Sequence, residues 1–261
     1  MPGSRCAAAP AAYILPVHST KFLGIDLGWQ SGASGLCCLS WREGQLRLLD
    51  LSRLDAIADI LAWVDGWVPE PESGVIAVDA PTLISNPTGM RLPDRLAHKY
   101  FGRYDAGCYP ANLARPFAER TVGFGRSLEA RGFVHAPDLQ PQQSGRYQIE
   151  VFPHPATVRL FRLQRILKYK KGKLAHRRLE LGKLRQHLLQ DLPALEPPLI
   201  FSEDTTLPEI PDKGTELKAV EDRLDSLTCA YVAAHWWYWG RDRNQVLGDR
   251  ANGYIIIPDP G

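Results

Sequence analysis

The chain has 261 residues, 44% of them hydrophobic, and a formal net charge of +2. That is enough for one substantial core without requiring a second domain, and a charge this near balance decides nothing by itself about nucleic acid. Five cysteines, an odd number without CxxC spacing, argue against a disulfide scaffold or a cysteine zinc site and fit a reducing cytoplasm. No apolar run approaches the roughly 20 residues that a membrane span needs.

Residues 1–20 read as a flexible leader. Their apolar run is broken by Pro10 and Pro16, which argues against a signal peptide. Residues 21–261 read as a single domain. Three strands are expected first, over 21–27, 35–41 and 45–51, the last two joined by the turn signal "REG". Leu54, Ile57, Ala58, Leu61 and Val64 then recur at helical spacing, with Ser52 placed to cap that helix. "GVIAVDAP" (74–81) has the continuous apolar character of a central strand. Residues 82–146 are rich in Pro, Gly, Arg and aromatics and read as a long insertion over one end of the sheet, with helical pieces near 93–101 and 116–131.

"RYQIEVFPHPA" (146–156) predicts another strand, followed by a helix from about Pro155. Between Arg159 and Arg185, Lys and Arg outnumber acids by eleven to one. A Pro-rich stretch over 190–215 precedes a long helix whose Leu217, Val220, Leu224, Leu227, Tyr231, Ala234 and Tyr238 fall on one stripe. The "WWYW" run (236–239) would dock that helix, and "GYIIIPDPG" supplies a last short strand. Three antiparallel strands feeding strands joined through helices predict an α/β mixed sheet with helices on both faces.

Acids stand where this pattern expects buried or positioned residues. Asp26 ends the first strand and Asp79 the fourth; Glu150 lies in the fifth; Asp222 and Asp225 open the last helix, about 60° apart around its axis. Each has a plain alternative: a turn aspartate for Asp26 and Asp79, helix-start acids for Asp222 and Asp225, an arginine partner for Glu150. Together they form a set that a hard cation, Mg²⁺ or Mn²⁺, would suit at the carboxyl ends of neighbouring strands. The glycines after Asp26 would leave room for a phosphate.

The basic segment offers Lys168, Lys170, Lys171, Lys173, Arg177 and Arg178, with Arg103 of the insertion, for a nucleic-acid backbone; its alternative is a solvated helix face. His98 and His154 are candidates for proton transfer, against structural roles. No G-x-S-x-G, P-loop or dinucleotide fingerprint occurs.

The stretches "GIDLGW", "AVDAPTLISNPTGMR", "RLAHKYFGRYDAGCYPANL", "YQIEVFPHPA" and "DRLDSLTCAYVAAHWWYWG" resemble a predicted-nuclease family of ribonuclease-H-like fold (domain of unknown function 429) over roughly residues 22–258. More distantly, "GIDLG", "IAVDAP" and "DRLD" resemble nucleases of the Holliday-junction-resolvase type, although Asp79 stands where a Glu is usual there. The resemblance implies a ribonuclease-H-like sheet with an insertion at about 82–146. It also implies a metal site at Asp26, Asp79 and Asp222/Asp225 and nuclease activity on DNA or RNA, with Glu150 as an additional acid of the site. Two other functions stay open: a non-catalytic nucleic-acid-binding protein, and a phosphotransferase of the actin/sugar-kinase type, which would need a second glycine-rich phosphate loop. Oligomeric state is not legible.

Overall fold

The computed structural model describes residues 20–202 and 206–261. The leader expected over 1–20 lies, apart from Thr20, outside them. In chain order the elements are β1 (Lys21–Asp26), β2 (Ser34–Arg42), β3 (Gln45–Leu54), α1 (Ile57–Trp67), β4 (Gly74–Val78), α2 (Leu92–Phe101), α3 (Ala118–Glu129), β5 (Val134–His135), β6 (Arg146–Glu150), α4 (Pro153–Leu160), α5 (Leu174–Gln190), β7 (Leu199–Ile200), α6 (Gly214–Trp239), β8 (Asn244–Asp249) and β9 (Gly253–Pro258).

Seven strands form one mixed sheet in the order β5-β6-β4-β1-β2-β3-β7. β1, β2 and β3 pair antiparallel, and β4 and β6 continue parallel to β1. This is the ribonuclease-H-like arrangement expected from the sequence. β8 and β9 form a separate hairpin.

Alternation along the strands builds two cores. Phe22, Cys37, Ala77 and Ile149 face α6, α5 and α4, while Leu23, Ile25, Ile76 and Val78 face α1 and α3. The connection from β4 to β6 is therefore more than an insertion over one end. Phe124 and Leu128 of α3 cover the second face, and β5 joins the sheet edge. Only its first half, with α2, builds outward, packing on β8 and β9 through Ala97, Phe101, Leu247 and Ile255.

Two expected boundaries move. β3 runs on to Leu54, so α1 starts at Ile57 and Ser52 does not cap it; the Ser52 hydroxyl turns to the Asp50 carboxylate instead. α6 begins at Gly214, so Asp222 and Asp225 lie within the helix rather than at its opening. Leu217 and Val220 reach the core, and their burial extends the helix beyond the acids. At its other end Trp236 is buried and donates from Nε1 to the Ala136 carbonyl at 3.0 Å.

Candidate active site

β1 is buried from Phe22 to Ile25 and then delivers Asp26 to the sheet's carboxyl end. Parallel pairing sets Ile25 beside Val78, so the next residues, Asp26 and Asp79, end side by side; the Asp79 N–H donates to the Ile25 carbonyl at 2.9 Å. Strand alternation turns both carboxyls to the same face of the sheet. Burial is the main reason that Asp26 is pushed well above the usual carboxylate range and Asp79 up to about 6; Lys170 opposes the rise in both and Asp225 adds to it.

α6 lies directly on β1 and β2. A methyl at Gly24 would stand 2.0 Å from the Ser226 carbonyl oxygen, and one at Gly35 would stand 1.9 Å from that of Asp222. This close approach brings Asp222 and Asp225 to the same end of the sheet as Asp26 and Asp79. Asp222 accepts from Arg53 Nε at 2.9 Å and pairs with Lys218 Nζ at 2.7 Å. Asp225, fully buried, accepts from the Tyr169 hydroxyl at 2.6 Å and pairs with Lys170 Nζ at 2.8 Å.

Lys170 is thus not on a phosphate-binding surface, as its place in the basic run predicts. Burial works against its charge, but Asp225, Asp26 and Asp79 outweigh burial and hold it well above the ordinary lysine value. The four aspartates share a neighbourhood that already contains a cation. Among the described residues no group of three or more His, Cys, Asp or Glu side chains is arranged as a ready-made metal cage. The donor chemistry nevertheless fits a hard cation: every acidic ligand is a carboxylate oxygen, and Asp26 and Asp79 follow paired residues of neighbouring strands.

Glu150 leaves this set. β4–β6 pairing aligns it with Val78, one residue out of phase with Asp79. Strand alternation therefore sends it to the opposite face. Both of its oxygens are taken by Arg91, at 2.6 and 2.8 Å, and Arg91 also holds Asp94 at 2.8 Å. The plain alternative, an arginine partner, describes it, although that arginine comes from the β4–β6 connection rather than the basic segment.

Asp26, Asp79 and Asp222 line a cleft of about 620 Å³, with Trp29, Tyr109, Phe152 and His154 on its walls and Arg53, Lys170 and Lys218 as its cations. Trp29 Nε1 donates to the Asp79 carbonyl at 2.8 Å. The glycines near Asp26 divide between tasks. Gly24 admits α6, Gly28 packs against the Gly32 carbonyl, and Gly32, at φ +89°, has the open space foreseen for a ligand. His154 is held neutral, mainly by burial, with its pKa lowered to about 4. His98 lies apart, with Nε2 2.7 Å from the Cys108 carbonyl oxygen.

Most of the predicted nucleic-acid contacts are engaged within the chain. Lys168 pairs with Asp105 at 3.0 Å. Arg177 donates to the Tyr169 carbonyl at 2.9 Å and faces Glu221. Arg178 donates to the Pro211 carbonyl and pairs with Asp212. Arg103 lies over its neighbour Tyr104. Lys171 and Lys173 remain exposed. Sequence reasoning missed Arg53 and Lys218 at the site, and Tyr169, which the basic run suggests as a base-stacking ring, is instead buried against Asp225. Only Lys218 carries a local signal, one helical turn before Asp222.

Comparison with known proteins places the chain in a family: it belongs to the one described as "Protein of unknown function (DUF429)", which matches residues 24–251. No curated protein gives a significant match. Among solved structures, one described as "Human cytomegalovirus terminase nuclease domain, Mn soaked, inhibitor bound" is similar at 11% identity, with 84% of each chain covered and a TM-score of 0.31.

Proposed function

We propose that this member of the DUF429 family is a metal-dependent nuclease that hydrolyses phosphodiester bonds of DNA or RNA at the Asp26–Asp79 end of the sheet. The observation that carries the reading is the side-by-side Asp26–Asp79 pair at the ends of β1 and β4, with Asp222 and Asp225 of α6 brought to the same end of a ribonuclease-H-like sheet. Two carboxylates this close repel unless a proton or a cation joins them. Asp26 and Asp79 would hold Mg²⁺ or Mn²⁺, with Asp225 and Asp222 available to complete the oxygen set. When bound, such an ion activates a water and steadies the oxygen that leaves phosphorus.

The chain's own groups have distinct tasks in this reading. Arg53 and Lys218 anchor Asp222 and present positive charge to a phosphate in the cleft. Trp29, Tyr109 and Phe152 offer ring faces on which a base or sugar can rest. His154, kept neutral, can accept a hydrogen bond from water or a hydroxyl but is a weak base. Glu150 takes no part, since Arg91 saturates it.

The test is cleavage of single-stranded, duplex and branched DNA and RNA with Mg²⁺ or Mn²⁺. Wild type is expected to cut at least one polymer only with a metal present. Asp26→Asn should lose more than the roughly 10–100-fold typical of an outer-shell partner, because it alters a direct ligand. Wild type inert toward every polymer with both metals would refute the reading.

A further inference from the structure

We propose that Lys170 is a built-in substitute for the divalent cation: its ammonium occupies the centre of charge among Asp225, Asp26 and Asp79, and metal loading requires it to leave. This rests on the nuclease reading, since it concerns how the same site is filled.

Three observations carry it. First, Lys170 does the electrostatic work of a cation. It pairs with Asp225 at 2.8 Å and lines the same cleft as Asp26 and Asp79. An ammonium and a dication cannot share so small a space, because their repulsion rises as the distance falls.

Second, Lys170 has somewhere to go. It lies in the irregular stretch between α4 and α5 rather than on a sheet strand or on α6. The residue before it is fixed: Tyr169 is buried, its hydroxyl held by Asp225 and its carbonyl by Arg177. The residues after it are exposed, and Gly172 has open space around it at φ +111°. The Lys170 side chain is 31% exposed, so solvent reaches it. A four-carbon stem lets the ammonium move several ångströms without moving Tyr169.

Third, Lys170 and His154 separate the acidic cleft from a second cavity of about 390 Å³, lined by Asp105, Lys168 and Lys171. Swinging the ammonium away from Asp225 carries it toward that cavity, where the Asp105 carboxylate lies. The same movement joins the two cavities. The freed ammonium then stands beside Lys168 and Lys171 on the wall of that cavity.

The experiment uses the full chain and Mn²⁺ alone, without substrate. Mn²⁺ affinity is measured by the electron-spin signal of the free ion for wild type, Lys170→Met and Lys170→Gln. In parallel, wild-type protein is acylated with acetic anhydride with and without Mn²⁺, and modification of each lysine is followed by peptide mass spectrometry. Both variants are expected to bind Mn²⁺ about tenfold tighter or more. Mn²⁺ should speed acylation of Lys170 severalfold while leaving Lys171 and Lys173 unchanged.

If wild type binds Mn²⁺ but the variants bind no tighter, or Lys170 acylation ignores the metal, the displacement idea is overturned and the nuclease reading stands. If wild type and both variants fail to bind Mn²⁺, both fall. If the variants do not fold, the wild-type acylation decides.

Discussion

Glu150 and Asp79 stand at the ends of adjacent strands, yet their carboxyls go to opposite faces because Val78, not Asp79, is the partner of Glu150. The acid so diverted is buried and must be matched. Burial raises Glu150 to about 7, and Arg91 limits that rise. A carboxyl with a folded value above its free one costs stability as pH rises from about 4.5 to 7, because the unfolded chain ionises first. Removing Arg91 lifts the folded value further, so the loss should widen with pH. Arg91→Met is expected to cost about 3–5 kcal/mol at pH 8, as expected when one partner of a buried pair is removed, and distinctly less at pH 5, where Glu150 stays neutral. Urea unfolding at the two pH values checks this; an equal loss at both would refute it. The hydrophobic pattern marks the strands and their terminal acids, so Asp26 and Asp79 are legible from sequence. The one-residue phase of Glu150 depends on a register between distant strands, which no local pattern encodes.

The same distinction operates among elements. The helical stripe from Leu217 to Tyr238 identifies α6, but how closely it approaches the sheet is set by two glycines on other elements. Gly24 and Gly35 allow backbone-to-backbone contact with Ser226, Ala230 and Asp222. That contact, rather than any side-chain bond, sets the height of Asp222 and Asp225 above Asp26 and Asp79. Gly35→Ala must push α6 outward, because the obstacle is the Asp222 carbonyl rather than a flexible side chain. The expected loss is about 3 kcal/mol, at the upper end for overpacking. Variant protein that remains folded should also lose Mn²⁺ affinity. Gly66→Ala is the control for adding a methyl without a clash, since nothing surrounds that position and its φ is not positive. Equal effects of the two changes on Mn²⁺ binding would show that α6 height does not govern the site. Lys170 is illegible for a related reason: it reaches the aspartates through an irregular crossing of the chain, so its run of basic neighbours points to the surface.

Across the whole molecule, the near-balance of charge is an internal pairing rather than a uniform mixture. The region that is most basic in sequence spends its cations on Asp225, Asp105, Glu221, Asp212 and Glu209. A nucleic-acid partner would therefore meet far less free charge than an eleven-to-one excess suggests, with Lys171 and Lys173 among the cations that stay exposed and Lys171 on the wall of the second cavity. Counterion release makes this measurable, because each single-strand phosphate contact contributes a slope of about −0.7 to log K against log salt. The Lys171→Ala/Lys173→Ala double variant should flatten the slope for single-stranded DNA or RNA by about 1.4 if each lysine makes one contact, while Arg178→Ala should leave it nearly unchanged, because its charge is matched by Asp212. Fluorescence anisotropy titrations between low and moderate salt read both slopes. A wild-type slope unaffected by the double variant would place the nucleic-acid path elsewhere. A large effect of Arg178→Ala would mean that the internal pairs open on binding.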